Sequence, residues 1–427
     1  MGCGLAKPGG IPLGNGTVVL IVDSSVTPTP TSTPVPPPAT PTPSGLTTPT
    51  PSGLTTPTPP ASPTPAPTGK IVAGGGHSCA LMPGGAVNCW GWGSSGQIGN
   101  GSKSNQLSPV SVVSLGQSVT AISAGLAHTC ALLQDGSIKC WGMGGNGELG
   151  NGSVSNPSSP VAVAPLGQGA IAVSAGTAHT CALLVDGSVS CWGHGGGGAL
   201  GNGSLSNQLS PVAVTPLGQA ASAISAGDYH TCALLLDGTI KCWGNGSSGQ
   251  LGIGTTPVRS APATVLGLGQ AAVAVSAGVA HTCALLQDGS VKCWGQGANG
   301  RLGNGSTSNS ASPVSVASFG QAAVALAGGG THTCALLQDG SVKCWGAGTS
   351  GQLGNGATVD QTLPVSVLGL GAPAAAISAA IGYNGGSHTC AWLQSGSIKC
   401  WGSGVYGQLG NGQSSDQLTP VEVIGLP

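Results

Sequence analysis

HTCALLQDGSIKCWGMGGNGELGNG, residues 128–152, holds two short apolar runs joined by Gln134-Asp135-Gly136 and followed by a glycine-rich tail. The tail contains Gly142, Gly144 and Gly147 in the G-x-G-x-x-G spacing by which a dinucleotide-binding loop approaches a pyrophosphate. The same spacing starts again at Gly91, Gly193, Gly244, Gly295, Gly346 and Gly402, whereas a phosphate loop is ordinarily used once per chain. Such a loop must also open a helix and be followed by an acidic residue about 20 positions on. The copies lack that acidic residue and run instead into segments such as LGNG. These glycines belong to a repeat.

Cys79, Cys130, Cys181, Cys232, Cys283 and Cys334 lie 51 residues apart, and Cys390 follows after 56. A period near 50 points to a propeller or a solenoid. One period reads as four short strands, for example 160–163, 170–176, 179–184 and 188–193, rich in β-branched residues and too glycine-punctuated for helices. Four-stranded units repeated radially are propeller blades. The expectation is an all-β, seven-bladed β-propeller over residues 70–427, with four antiparallel strands per blade. Blade 1 shows three strands, and the chain ends in PVEVIGLP, a strand with no hairpin after it. On this reading the C-terminal strand completes blade 1 and latches the ring.

HTCALLQDGSVKCWG followed by GQLGNG-type segments resembles the regulator of chromosome condensation repeat, and the resemblance spans residues 70–427. It implies a seven-bladed propeller. It also raises that family's nuclear role, nucleotide exchange on a small GTPase with histone binding, against which the composition argues. The departure from the family pattern is two cysteines per blade.

Only 5% of the 427 residues are charged and the formal net charge is −1, so the sequence makes no electrostatic case for nucleic acid or an anionic membrane surface. No apolar stretch is long enough to span a bilayer. Residues 27–69 are Pro- and Thr-rich, with almost nothing to bury, and read as a disordered linker. In polyproline II its roughly 40 residues reach ~100 Å. Residues 1–26 read as the remnant of an upstream domain or leader, which suggests a fragment of a longer secreted chain carrying a monomeric ring.

Fourteen of the 15 cysteines form seven pairs ten residues apart. They are Cys79 with Cys89, Cys130 with Cys140, Cys181 with Cys191, Cys232 with Cys242, Cys283 with Cys293, Cys334 with Cys344, and Cys390 with Cys400. A three-residue hairpin loop with Gly136 in the left-handed position sets Cys130 opposite Cys140, within disulfide reach. Seven disulfides imply an oxidising, extracellular or cell-surface location. Metal ligation by His128, Cys130 and Cys140, and reduced buried thiols, are the alternatives. Three ligands fall short of a structural zinc site.

Five of the 11 carboxylates sit in the hairpin turns, and the rest show no paired acid–base arrangement. No catalytic residue, metal or cofactor is assigned. The repeated histidines are expected to make local hydrogen bonds, and the Trp after each second Cys to fill the space between blades. NGS recurs at Asn100, Asn151, Asn202, Asn245 and Asn304, where turn chemistry or glycosylation each fits. Strand parity places the uniform hairpin turns and LGQ loops at one end of the ring and the variable loops at the other. The variable end carries the candidate binding residues Tyr383, Tyr406, Trp92, Tyr229, Arg259, Arg301 and Lys103. The function expected is a non-catalytic scaffold recognising a protein or glycan through that loop face. A propeller-type lyase or hydrolase and a purely structural spacer are the alternatives.

Overall fold

The computed structural model describes residues 69–382 and 387–426, and before them a backbone strand pair, Ile11–Pro12 with Val18–Val19. Linker residues 27–68, the rest of residues 1–26 and Tyr383 lie outside the described residues. Seven four-stranded antiparallel sheets follow one another along the chain. In blade 4 the strands are Ala221–Ala226, His230–Leu235, Ile240–Gly244 and Arg259–Thr264. The first strands of neighbouring blades touch all the way round, blade 7 meeting blade 1, so these strands line the axis. Among the described residues no helix is long and apolar enough to cross a membrane.

The hairpin at the centre of each blade follows from its turn. Leu133 N donates to Ser137 O at 2.9 Å and Gly136 N to Leu133 O at 3.0 Å, while Gly136 takes φ 81°. The loop is thus the expected Gln134-Asp135-Gly136, and Gly supplies a left-handed conformation that a β-carbon would strain. Asp135 Oδ1 accepts from Ser137 N and Oγ at 2.9 and 2.7 Å. The Ser137 hydroxyl foremost, then the Gln117 amide, lowers its carboxyl to about 2.

This register places Cys130 opposite Cys140, and the two form a disulfide. The same bridge joins Cys79 to Cys89, Cys181 to Cys191 and Cys232 to Cys242. It also joins Cys283 to Cys293, Cys334 to Cys344 and Cys390 to Cys400. Cα–Cα separations are 4.0–4.1 Å throughout. That is shorter than the ~4.5–5.5 Å between directly opposed strand residues. All fourteen cysteines are fully buried. Neither alternative, a metal held by His128, Cys130 and Cys140 or reduced thiols, describes these pairs.

The latch is where structure and expectation part. The strand containing PV does not open the next blade; it is the outer, fourth strand of the blade whose hairpin precedes it. Gln417–Glu422 accordingly pairs with Ile398–Gly402 in blade 7, through Cys400 opposite Val421 and Gly402 opposite Gln417. The glycine-rich crossover makes this return possible. In blade 1 it dips between blades, so that Val113 N reaches Gly99 O at 3.0 Å while Val112 N reaches Val87 O at 2.9 Å. Among the described residues no strand crosses from blade 7 to blade 1.

Non-covalent contacts close the ring instead, and they repeat at every junction. Trp141 Nε1 and Thr129 Oγ1 of blade 2 both donate to Gln97 O in the blade 1 crossover, each at 2.9 Å. At the closing seam Trp90 Nε1 and Ser78 Oγ donate to Gln408 O, again at 2.9 Å. These seven indoles are fully buried. Gly410 lies against Trp90 with φ 67°, where any side chain would collide with the ring. Further out, Gly412 N of blade 7 donates to Leu107 O of blade 1 at 3.0 Å.

Outer strands are sheet edges, which need protection from pairing with other chains. Pro109, Pro211, Pro262, Pro313, Pro364 and Pro420 stand inside them, removing one ladder donor apiece. Deleting residues 419–427 should therefore uncover Ile398–Gly402, which has no proline, and light scattering should detect concentration-dependent self-association. A truncated ring that stays monomeric would show that the outer strand is not the guard.

Candidate functional site: the loop face

Loops between first and second strands share one end of the ring with the crossovers between third and fourth strands. The residue after each Cys-Trp-Gly is pinned at this rim by its own amide: Trp92 N to Gly76 O at 2.8 Å, His194 N to Ala178 O at 2.8 Å, Asn245 N to Tyr229 O at 2.7 Å. The backbone is therefore the same in each blade while the side chain is free to vary.

Two aromatic pairs stand out on this rim. Trp92 and Tyr406 stack across the blade 7–1 seam, with ring centroids 5.7 Å apart and planes at 28°. Gly76 lies beneath them, and a β-carbon there would stand 3.2 Å from Tyr406 Cδ2 and 3.3 Å from Trp92 Cβ. Both rings are half-buried. At the blade 3–4 junction His194 meets Tyr229 edge-on, with centroids 5.2 Å apart and planes at 65°. Tyr229 is 38% exposed, and the charge of buried Asp228 raises its hydroxyl pKa. Gly196 leaves room for the His194 ring, which a side chain at that position would strike. Junctions 7–1 and 3–4 stand three blades apart, on opposite sides of the channel mouth.

The family profile described as RCC1-like domain matches residues 154–426, and regulator of chromosome condensation (RCC1) repeat profiles match residues 84–132, 70–97 and 119–148. The ultraviolet-B receptor UVR8 of Arabidopsis thaliana is 32% identical over 362 residues, 83% of this chain and 81% of the relative. The chain belongs to the RCC1 repeat family. A mitochondrial RCC1 domain-containing protein of the same plant, RUG3, is 32% identical over 368 residues, 78% of this chain and 81% of its own. Among solved structures, human WBSCR16 superposes with TM-score 0.72 at 22% identity, covering 80% of this chain and 94% of its own. Prp20p of Saccharomyces cerevisiae superposes with TM-score 0.70 at 22% identity, covering 81% and 87%. At that identity both show the fold alone.

This RCC1-type propeller brings only some of the expected binding residues to the surface. Lys103 is exposed on the blade 1 crossover, and Arg259 is exposed where the outer strand of blade 4 begins. Arg301 is different: it is 5% exposed and its guanidinium is used internally. It donates to Ala298 O at 2.9 Å, Gln296 Oε1 at 2.8 Å, Gly330 O at 3.1 Å and Asn299 Oδ1 at 3.0 Å. Arg301 ties blade 5 to blade 6 and is not a surface anchor. The repeat could have revealed this, because Gln97, Gln250, Gln352 and Gln408 occupy its position and brace the same turn.

Glu148, Asp360 and Asp416 have structural roles too. Glu148 is fully buried and accepts from Asn146 N and Nδ2, both at 2.8 Å. Asp360 and Asp416 accept from Gly348 N and Gly404 N at 3.0 Å, the task of Asn105, Asn156, Asn207 and Asn309 in other blades. The lysines before the second Cys brace the loop that leads into their own blade: Lys139 Nζ reaches Ser114 O and Lys292 Nζ reaches Gly267 O, both at 3.0 Å. Each Asn of the NGS motifs accepts the Ser amide two residues on, as in Ser102 N to Asn100 Oδ1 at 3.0 Å, an Asx turn. Among the described residues no group of three or more His, Cys, Asp or Glu is placed to hold a metal. Two open clefts, of about 220 and 400 Å³, lie on the opposite face between a hairpin turn and the next loop, around Asp135 and Asp288. They arise from the repeat itself and gather no special chemistry, so the aromatic rim is the better candidate.

Proposed function

We propose that this RCC1-type propeller is a non-catalytic binding scaffold, displayed outside the cell on the Pro/Thr-rich linker, that recognises a protein or glycan through its loop face. The observation that carries this is the pair of aromatic loci, Trp92 with Tyr406 and His194 with Tyr229, on a rim whose equivalent positions in other blades carry no aromatic residue, such as Met143, Asn245, Gln296, Ala347 and Ser403. Exposed Tyr and Trp on a rigid frame are the usual anchors of an interface. Topology supports the same face. The first strand begins at Lys70 and the last ends at Glu422, both at the hairpin-turn end and opposite the loop face. Seven buried disulfides support an oxidising compartment. By analogy, one relative is a receptor, and the structural neighbour Prp20p has binding properties toward Gsp1p and histones.

The test is a pull-down from surface extract with the full chain as bait, followed by calorimetry on the captured partner. Tyr406→Ala and Tyr229→Ala should each weaken binding by ~1–3 kcal/mol, and Tyr383→Ala is the third variant to measure. Gln134→Ala and Gln338→Ala, in the opposite turns, should change little. Binding that survives the Tyr changes and fails on the Gln changes would reverse the faces. Failure to capture any partner would favour the spacer.

A further inference from the structure

We propose that the ring opens reversibly in mild acid at the seam between blades 7 and 1. Each junction carries one buried imidazole bonded to the next blade. His77 Nε2 meets Thr129 Oγ1, His128 meets Thr180, His179 meets Thr231 and His281 meets Thr333, all at 2.8 Å. His230 meets Thr282 at 2.9 Å and His332 meets Thr389 at 2.8 Å. His388 meets Ser78 Oγ at 2.7 Å, which completes a circuit of seven. The hydroxyls fix the tautomer. Each gives its single proton to a crossover carbonyl, as Thr129 does to Gln97 O, so it must accept from the histidine. Nε2 is therefore the protonated nitrogen and Nδ1 holds a lone pair. In His77, His128, His179, His230, His281 and His332 the Nδ1 atom is buried with no hydrogen-bond partner.

A second proton would have to go on Nδ1, creating a buried cationic donor with nothing to receive it. The charged and titratable neighbours do not relieve this. His77 faces His388 and His128, His179 faces His194, and Arg301 stands near both His281 and His332. On the loops packed against these rings, the Glu148 carboxylate is held by Asn146, and only the Asp228 backbone, which pushes His179 back up, offsets part of the depression. Burial is the largest cause that depresses these histidines, to about 3 for His77, His128, His230 and His332 and about 4 for His179. A folded pKa below the unfolded one means the stabilisation is complete above pH ~6.5 and is lost as pH falls from there toward the folded values. The turn carboxylates of Asp135, Asp186, Asp288 and Asp339, held at about 2, stay charged through this window.

Covalent connectivity selects the seam. Disulfides hold every blade's hairpin internally, and six junctions are also bridged by the chain. Among the described residues the 7–1 junction has neither a bridging loop nor a shared strand. Side-chain and backbone contacts hold it, such as those of Ser78, Trp90 and Leu107 with blade 7 and that of Ala73 N with Ser378 Oγ. Proton uptake around the circuit should part the ring there while the hairpins persist.

The experiment is a reversible titration of the full chain from pH 7.5 to 3.5, followed by small-angle scattering and hydrogen exchange. The radius of gyration should rise between about pH 6 and 4 and recover on neutralisation. Exchange should quicken at Ala73 and Gly412 of the 7–1 seam before it does at Ala226 and Gly254, their protected counterparts at linked junctions. Replacing His77 and His128 by Gln, which can still donate to Thr129 and Thr180 but takes up no proton in this range, should lower the midpoint by at least half a pH unit. Should that variant not fold, the order of exchange in the unmodified chain decides. A ring equally compact and protected at pH 3.5, or exchange that rises at all seven junctions together, would overturn the proposal.

Discussion

Trp243→Ala should destabilise the ring by ~3–5 kcal/mol, the range for emptying a buried tryptophan site. The side chain is fully buried between blades 3 and 4. Its indole N–H donates to Ala199 O at 2.9 Å, and Gly201 lies so close that a β-carbon there would be 2.6 Å from Nε1. Neither neighbour can collapse into the space, because Gly201 has no side chain and Ala199 is held by the crossover. The carbonyl would keep its bond from Thr231 Oγ1 at 3.0 Å, so the cavity dominates the loss over an unpaired acceptor. Trp243→Phe, which refills most of the volume, should recover all but about 1–2 kcal/mol, of which the lost hydrogen bond accounts for about 1. Guanidinium unfolding measures both. An alanine variant within 1 kcal/mol of the parent would mean that the indole is not what joins the blades.

Cys232→Ala with Cys242→Ala should remove ~2–3 kcal/mol, less where the hairpin forms unaided, since the bond closes a loop of about 11 residues. The six other disulfides leave the unfolded state otherwise equally constrained, so the denaturant midpoint reports this one bridge. Both residues are fully buried, and a thiol reagent should modify the native protein only as it unfolds. Non-reducing peptide mapping should link each cysteine to the one ten residues later, Cys283 to Cys293 and Cys334 to Cys344 among them. Fourteen free thiols in natively produced protein would end both the bridge assignment and the extracellular proposal built on it.

Much of the fold is legible in short segments because it depends on local chemistry. Gln134-Asp135-Gly136 determines the hairpin register, and the register alone sets Cys130 against Cys140. The 51-residue period sets the blade count. The side chains of the candidate site were less legible. Tyr229 and Trp92 stand out as breaks in a uniform repeat, and they do lie on the rim. Arg301 breaks the repeat equally, yet it is buried, because its position in the crossover faces the next blade rather than solvent.

What the sequence by itself determined, then, is each hairpin, its disulfide and the number of blades: features written in turn residues and spacing within a single repeat. Only the tertiary structure decided the phase of the repeat. Around a ring, a strand such as 417–422 can alternate equally well beside the hairpin before it or the hairpin after it, and no residue in the strand distinguishes the two. The choice is made by the crossover, which folds down between blades and carries the strand back to its own hairpin. The same is true of the histidine circuit. Each His and each Thr is visible in the sequence, but their bond joins residues roughly fifty positions apart, and only the packing of one blade on the next brings them together.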